Sequence, residues 1–182
     1  MSKAVLISIR PKWCEKIVSG EKTIEVRKTR PKMDTPFKCY IYCTQDKHLA
    51  FMQNQASTNL IACMDAGTAI PVGGGVGNGK VIGEFTCDRI YELAPLNHAP
   101  DNVEQQACLT REEIVRYLKG VGYGWHISDL KIYDTPRELS EFERPYECDG
   151  CDARWASECN ACHDNGKLKR PPQSWCYVEE LP

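Results

Sequence analysis

Four cysteines near the C-terminal end of the sequence have the spacing of a metal site. Cys148-x-x-Cys151 and Cys159-x-x-Cys162 form two CxxC pairs that are separated by seven residues. Each pair can hold one edge of a tetrahedral Zn²⁺ ion, with thiolate sulfurs about 2.3 Å from the metal. Because four thiolates leave no open coordination position, the spacing predicts a structural zinc ion and not a catalytic one.

The segment around these cysteines has little to pack. Trp155 and Leu168 are its only large apolar residues, so the segment would need the metal in order to fold. Two alternatives remain, which are four reduced surface cysteines and a redox-active pair. His163 is a less favoured substitute ligand.

A second candidate site is the charged run "SGEKTIEVRKTR" at residues 19–30. Strand-like alternation sends its side chains to two faces. The faces comprise Lys22, Ile24 and Val26 on one side, and Thr23, Glu25 and Arg27 on the other.

Lys22 would then project from the end of an apolar face into a cleft, where it could act as a base or orient an anion. Glu25 and Arg27 could pair with each other, or bind a base edge and a phosphate. The alternative is a solvated strand face without a site.

The charge distribution favours an anionic partner. Residues 1–48 contain eleven Lys/Arg against five Asp/Glu, whereas the rest of the chain contains twelve against twenty. A basic surface is typical of proteins that bind phosphates, so the sequence favours nucleic acid or a nucleotide.

The glycine-rich stretch "GGGVGNGK" only partly matches a phosphate-binding P-loop. Gly74, Gly79 and Lys80 fit the pattern, but Val81 replaces the Ser/Thr that would hold Mg²⁺. A strand, and not a helix, is expected to follow. We therefore predict a hairpin loop over residues 71–80.

The bulk properties predict one soluble domain. The chain has 182 residues, and no apolar run approaches the roughly 20 residues of a membrane helix. Eleven cysteines without a signal peptide indicate a reducing compartment, so we expect a cytoplasmic protein without a membrane partner. The oligomeric state stays open.

Several strands and short helices must position these residues. The pattern predicts an α+β architecture or a closed barrel, because no regular βαβ repeat is present. We expect a β-bulge near Ser128. Within residues 45–70 the apolar residues show no clear period, and we expect a short helix there. The expected strands cover residues 5–9, 22–28, 38–44, 81–93, 124–134 and 174–180, and the expected helices begin at Pro11 and after the Thr110-x-x-Glu113 capping box.

"GEKTIEVR", "GKVIGEFT" and "GWHISDL" together resemble the ASCH domain of the PUA-like superfamily. The resemblance implies a small PUA-like β-barrel with flanking short helices and a cleft beside the G-x-K motif. It divides the chain into residues 1–142 of the domain, a zinc-binding loop insertion at 143–170, and a returning strand at 171–182.

The resemblance implies two functions. The first is binding of RNA or a modified nucleotide, with Trp13, Tyr40, Tyr42 or Trp125 available for stacking. The expected binding residues are Arg10, Trp13, Lys22, Thr23, Glu25, Arg27 and Lys28.

The alternative is an amidohydrolase acting on N4-acetylcytidine, because the motif lysine of some ASCH enzymes matches Lys22. Those enzymes place a threonine where this sequence has Glu25, and they use a distant glutamate that Glu104 could supply. A carboxylate beside Lys22 would hold it as an ammonium and oppose its use as a base. The sequence therefore favours binding and leaves catalysis uncertain.

Overall fold

The structure is a computed structural model that describes residues 2–54, 61–65, 74–93, 99–145 and 166–182. The described strands are β1 (Lys3–Ile9), β2 (Ile24–Arg27), β3 (Phe37–Cys43), β4 (Leu49–Asn54), β5 (Ile61–Asp65), β6 (Gly74–Val76), β7 (Val81–Cys87), β8 (Ile90–Glu92), β9 (Tyr123–His126), β10 (Ser128–Arg137) and β11 (Trp175–Glu179). The described helices are α1 (Pro11–Val18), α2 (Val103–Ala107) and α3 (Arg111–Leu118).

A five-stranded mixed sheet forms the centre of the fold, in the order β10-β7-β3-β1-β11. β1 pairs in parallel with β3 and antiparallel with β11, so the start and the end of the chain share one sheet. Both faces of β3 are covered, since Cys39, Ile41 and Cys43 face one apolar cluster while Tyr40 and Tyr42 face another. The apolar character of this strand therefore follows from burial on both sides.

Two smaller sheets complete the described strands, in the orders β2-β9-β8 and β5-β4-β6. Ile24 and Val26 of β2 pack against α2 and α3 in a third apolar cluster. The α+β class is thus confirmed. The described strands pair as separate sheets, and no closed barrel is present among them.

The helix boundaries follow local sequence signals. Pro11 occupies the first turn of α1, and Gly20 follows the helix with a φ of 79°, a conformation that glycine adopts without strain. The predicted capping box of α3 is present, since Thr110 Oγ1 accepts from the Glu113 N–H and the Glu113 carboxylate accepts from the Thr110 N–H. These contacts set the start of α3 at Arg111.

Two expectations about the middle of the chain are wrong in the described residues. The helix expected within 45–70 is absent there, and β4 and β5 pair antiparallel instead. The loop expected over 71–80 contains β6, which pairs with β4. Only residues 77–80 form the turn into β7, and the expected strand over 81–93 is divided into β7 and β8.

The expected strand over 124–134 is divided into β9 and β10, which belong to different sheets. The predicted bulge near Ser128 is confirmed within β10, because the register between β10 and β7 shifts after Ser128 and Asp129 has a φ of 47°. The last expected strand is also confirmed as β11. None of the described helices has the length and apolarity needed to cross a bilayer.

Backbone pairing closes the two ends of the segment that carries the CxxC pairs. Glu143 and Lys167 form an antiparallel bridge, and the Arg144 N–H donates to the Gly166 carbonyl over 2.8 Å. Leu168 then enters the apolar cluster beside Phe142. The cysteines themselves, at 148, 151, 159 and 162, lie outside the described residues.

Candidate functional site

Lys22 is a buried lysine, with 2% of its surface exposed. It lies between α1 and β2, and its Nζ donates to the Ile24 carbonyl over 2.8 Å and to the Ala107 carbonyl at the end of α2 over 2.7 Å. The ammonium group therefore holds β2 against α2.

Glu25 lies between Lys22 and Arg27. Its Oε2 is 3.4 Å from Lys22 Nζ, and its Oε1 is 3.0 Å from Arg27 Nη2. Arg27 Nη2 also donates to the Ser8 carbonyl of β1 over 2.6 Å. We call Lys22, Glu25 and Arg27 the buried ion cluster. It carries two positive charges and one negative charge, and it connects β1, β2 and α2.

The surroundings of Lys22 suit an ammonium and not a neutral amine. An ammonium has three N–H donors and no acceptor, and Nζ faces two carbonyls and one carboxylate. A neutral amine would present its lone pair to one of these oxygens. Because an unpaired charge is costly to bury, these three oxygens compensate for the water that the ammonium group loses.

The expected division of faces is wrong for Lys22. Glu25 and Arg27 do share a face, but Lys22 precedes β2 and reaches Glu25 instead of extending the apolar face of Ile24 and Val26. Strand alternation does not apply to a residue outside the strand.

The buried ion cluster lies in the wall of a cleft of about 760 Å³. This volume is within the range of about 300–1,000 Å³ that is typical of small-molecule sites. The cleft is lined by Ser8, Ile9, Arg10, Lys12, Trp13, Lys22, Glu25, Val26, Arg27, Tyr42, Thr44, Gln45, Leu109, Glu113, Tyr117, Pro171, Pro172 and Gln173.

Cations lie next to two of the aromatic rings that line the cleft. Lys12 Nζ is 4.3 Å and Lys22 Nζ is 5.2 Å from the centre of the Trp13 ring. Lys28 Nζ is 5.3 Å from the centre of the Tyr117 ring, which is 43% exposed. A planar ligand would therefore meet both a ring face and a positive charge.

One wall of the cleft carries a second carboxylate. The Thr110 N–H donates to Glu113 Oε2, and this hydrogen bond lowers the pKa of the Glu113 carboxyl. Glu113 is thus ionised at neutral pH. It limits the positive charge of the cleft on the α3 side.

Five of the expected site residues line this cleft, namely Arg10, Trp13, Lys22, Glu25 and Arg27. Thr23 and Lys28 do not line it. Thr23 Oγ1 contacts Gln106 Oε1 at 3.2 Å, so Thr23 joins β2 to α2.

Other expected residues lie elsewhere. Glu104 is exposed on α2, where its Oε1 accepts from the Arg111 N–H over 2.6 Å, and it does not line the cleft. Trp125 and Tyr40 are fully buried, so neither can stack on a ligand. Only Tyr42 of the strand aromatics reaches the cleft.

Sequence reasoning missed the contributions of α3 and of the segment before β11. Ile114 and Leu118 of α3 are buried, whereas Tyr117 of the same helix is 43% exposed and lines the cleft. Pro172 also lines the cleft, and its carbonyl accepts from Ser8 Oγ over 2.6 Å. Pro171 and Pro172 are evident in the sequence, but no sequence pattern predicts that this segment lies beside β1.

The arrangement defines a small α+β fold with a mixed sheet and a cationic cleft, and this fold is that of solved ASCH structures. No family model matches the chain, and no curated protein matches it in sequence.

Similar solved structures include ASCH from Zymomonas mobilis. That protein is 18% identical with a TM-score of 0.55, and the match covers 97% of this chain and 88% of the other. A single-substitution variant of it is 18% identical with a TM-score of 0.54, covering 98% and 92% of the two chains. Another variant is 17% identical with a TM-score of 0.56, covering 97% and 89%. At these identities the likeness establishes the fold.

The buried ion cluster predicts a large effect of removing Glu25. Glu25→Gln leaves two cations without their shared carboxylate, and we expect a loss of about 3 kcal/mol in the free energy of unfolding. Glu21→Gln is the matched control, because Glu21 pairs with Lys16 over 2.7 Å at the surface, where water screens the charges, and we expect a much smaller loss. Urea denaturation measures both. Equal losses in the two variants would contradict a cluster that holds the fold.

Proposed function

We propose that this protein binds RNA or a modified nucleotide in the cleft beside the buried ion cluster. The observation that supports this most directly is the cleft itself, in which a fixed cluster with a net positive charge lies beside a half-buried Trp13 ring. The rim adds Arg10 and Lys12, which are exposed. A ring and adjacent cations are what an unpaired base and its phosphate require.

Each part of the cleft has a separate task in this proposal. The Trp13 and Tyr117 rings stack on the base, and Arg10 and Lys12 contact phosphate oxygens. The buried ion cluster positions the wall and attracts the anionic ligand. It holds its charges in place before the ligand arrives, so binding does not require these side chains to be ordered.

The fold supports the same proposal. ASCH structures share the fold, and four residues of the "GEKTIEVR" motif line the cleft, namely Lys22, Glu25, Val26 and Arg27. Salt-sensitive binding follows from the charges at the rim.

The amidohydrolase alternative is less favoured by the geometry. A general base needs a free lone pair, whereas Lys22 Nζ donates to the Ile24 and Ala107 carbonyls and lies 3.4 Å from the Glu25 carboxylate. Glu104, the expected distant carboxylate, lies outside the cleft. These two features favour a role for the Lys22 ammonium in binding an anionic ligand over a role as a general base.

Binding is tested with a fluorescent single-stranded RNA decamer of mixed sequence. We expect the affinity to fall with rising salt, and Trp13→Ala to weaken binding by roughly 10-fold or more through loss of stacking, which is worth about 1–3 kcal/mol per base. Trp13→Phe should retain part of the affinity because it keeps an aromatic face.

Lys12→Gln should also weaken binding and flatten the salt dependence, since it removes one rim cation. Lys131→Gln is the matched control, because Lys131 is an exposed lysine on β10, at the far edge of the central sheet from β11. Circular dichroism verifies that each variant is folded. If no single-stranded RNA or DNA binds in a salt-dependent manner, the proposal is wrong.

We also propose that the cysteines at 148, 151, 159 and 162 hold one structural zinc ion. Pairing at Glu143–Lys167 and Arg144–Gly166 closes the base of this segment. Cys148 lies four residues after Arg144, and Cys162 lies four residues before Gly166. Four residues reach at most about 14 Å, so the two CxxC pairs start from neighbouring points and can meet on one ion.

Native mass spectrometry tests the zinc proposal. We expect one zinc per chain, and loss of zinc in Cys148→Ser and Cys162→Ser. Cys108→Ser is the matched control, because Cys108 lies at the end of α2, where its thiol donates to the Glu21 carbonyl over 3.4 Å. Absence of a zinc adduct, or zinc retained in both variants, would refute the proposal.

A further inference from the structure

A second basic surface adjoins the cleft. Residues 28–34 form most of the connection from β2 to β3 and contain Lys28, Arg30 and Lys32 against a single acidic residue, Asp34. We call this segment the basic loop. Together with Tyr123, the basic loop lines a separate cavity of about 500 Å³.

The basic loop is held in place while its cations stay exposed. Trp175 Nε1 donates to Thr29 Oγ1 over 2.9 Å, and the Lys32 N–H donates to the Tyr177 hydroxyl over 2.7 Å. Pro31 is buried between these two anchors. β11 therefore anchors the loop at Thr29 and at the Lys32 backbone, from which the charged side chains extend.

The three cations of the basic loop have no carboxylate partner in the part of the chain that the structure describes. Lys28 and Arg30 instead lie over aromatic rings, with the Arg30 guanidinium 5.8 Å from the centre of the Tyr123 ring. Exposed cations that are not neutralised by neighbouring acids can each release a counterion when a phosphate binds.

Lys28 connects the two surfaces. It lines the cavity of the basic loop, and its Nζ lies over Tyr117, which lines the cleft. Positive charge thus continues from the cleft across Lys28 to Arg30 and Lys32. A single nucleotide in the cleft would not use the far end of this path.

We infer that the basic loop binds the phosphates of a single-stranded nucleic acid whose base occupies the cleft, so the partner is a strand of several nucleotides. This inference rests on the proposed function. A single strand fits better than a duplex, because a base reaches a concave cleft only when it is unpaired and unstacked.

The test compares the double variant Arg30→Gln/Lys32→Gln with the unmodified protein. Each phosphate contact of a single strand contributes about 0.7 to the slope of log K against log salt. Because the variant removes two contacts, we expect the magnitude of this slope for a labelled single-stranded decamer to fall by about 1.4. The affinity in 0.1 M salt should fall on the order of 10-fold. Binding of a trinucleotide should change much less, because a trinucleotide placed in the cleft extends little beyond it.

The matched control is Lys131→Gln/Arg137→Gln, which removes two cations from β10. We expect it to leave the slope unchanged. The charge-preserving variant Arg30→Lys/Lys32→Arg should keep the decamer affinity, which separates charge from loop structure.

The outcomes distinguish this inference from the proposed function. If the decamer does not bind the unmodified protein, the proposed function fails. If the decamer binds but Arg30→Gln/Lys32→Gln leaves its slope and affinity unchanged, the role of the basic loop is refuted while binding in the cleft stands. Binding of a duplex as tightly as of the single strand would overturn the single-strand assignment.

Discussion

Three charged side chains buried at one junction constrain the rest of this structure. Lys22, Glu25 and Arg27 are each less than 10% exposed, yet they carry two positive charges and one negative charge. Burial of charge is tolerated only where partners replace water, and here the partners are carbonyls from β1, β2 and α2. These elements must therefore meet in one arrangement. The cleft is the space that this arrangement leaves beside the cluster.

Because the buried ion cluster joins several elements, the cleft is built from residues distant in sequence and not from the "GEKTIEVR" motif alone. Val5 and Ile7 of β1 pack in the central apolar cluster, and this places the Ser8 carbonyl where Arg27 can reach it. The apolar face of β2 packs on α2 and α3, which brings Tyr117 and Glu113 to the cleft wall. The final strand then carries the basic loop through Trp175 and Tyr177. Residues from distant parts of the chain thus contribute to the cleft and to the basic loop.

The sequence predicted those strands and helices whose boundaries are set by nearby residues. β1 and β11 are short apolar runs bounded by prolines, α1 begins with Pro11, and α3 begins with a capping box, and all four are confirmed. The antiparallel β4–β5 pair was missed, because its strands lack a clear alternation and are stabilised by their pairing. Lys22 was assigned to the wrong face since its position depends on Ala107, which is 85 residues away. Cleft residues such as Pro172 could not be predicted, because only the tertiary fold places them beside β1.

The central claim is that a nucleotide occupies the cleft beside the buried ion cluster, and crystals soaked with a panel of ordinary and modified nucleosides and nucleotides test it most directly. The account predicts density for a base against the Trp13 ring, with phosphate, where present, near Arg10 and Lys12. Density that lies only elsewhere on the protein, or a cleft that stays empty at millimolar concentrations of every compound, would contradict it.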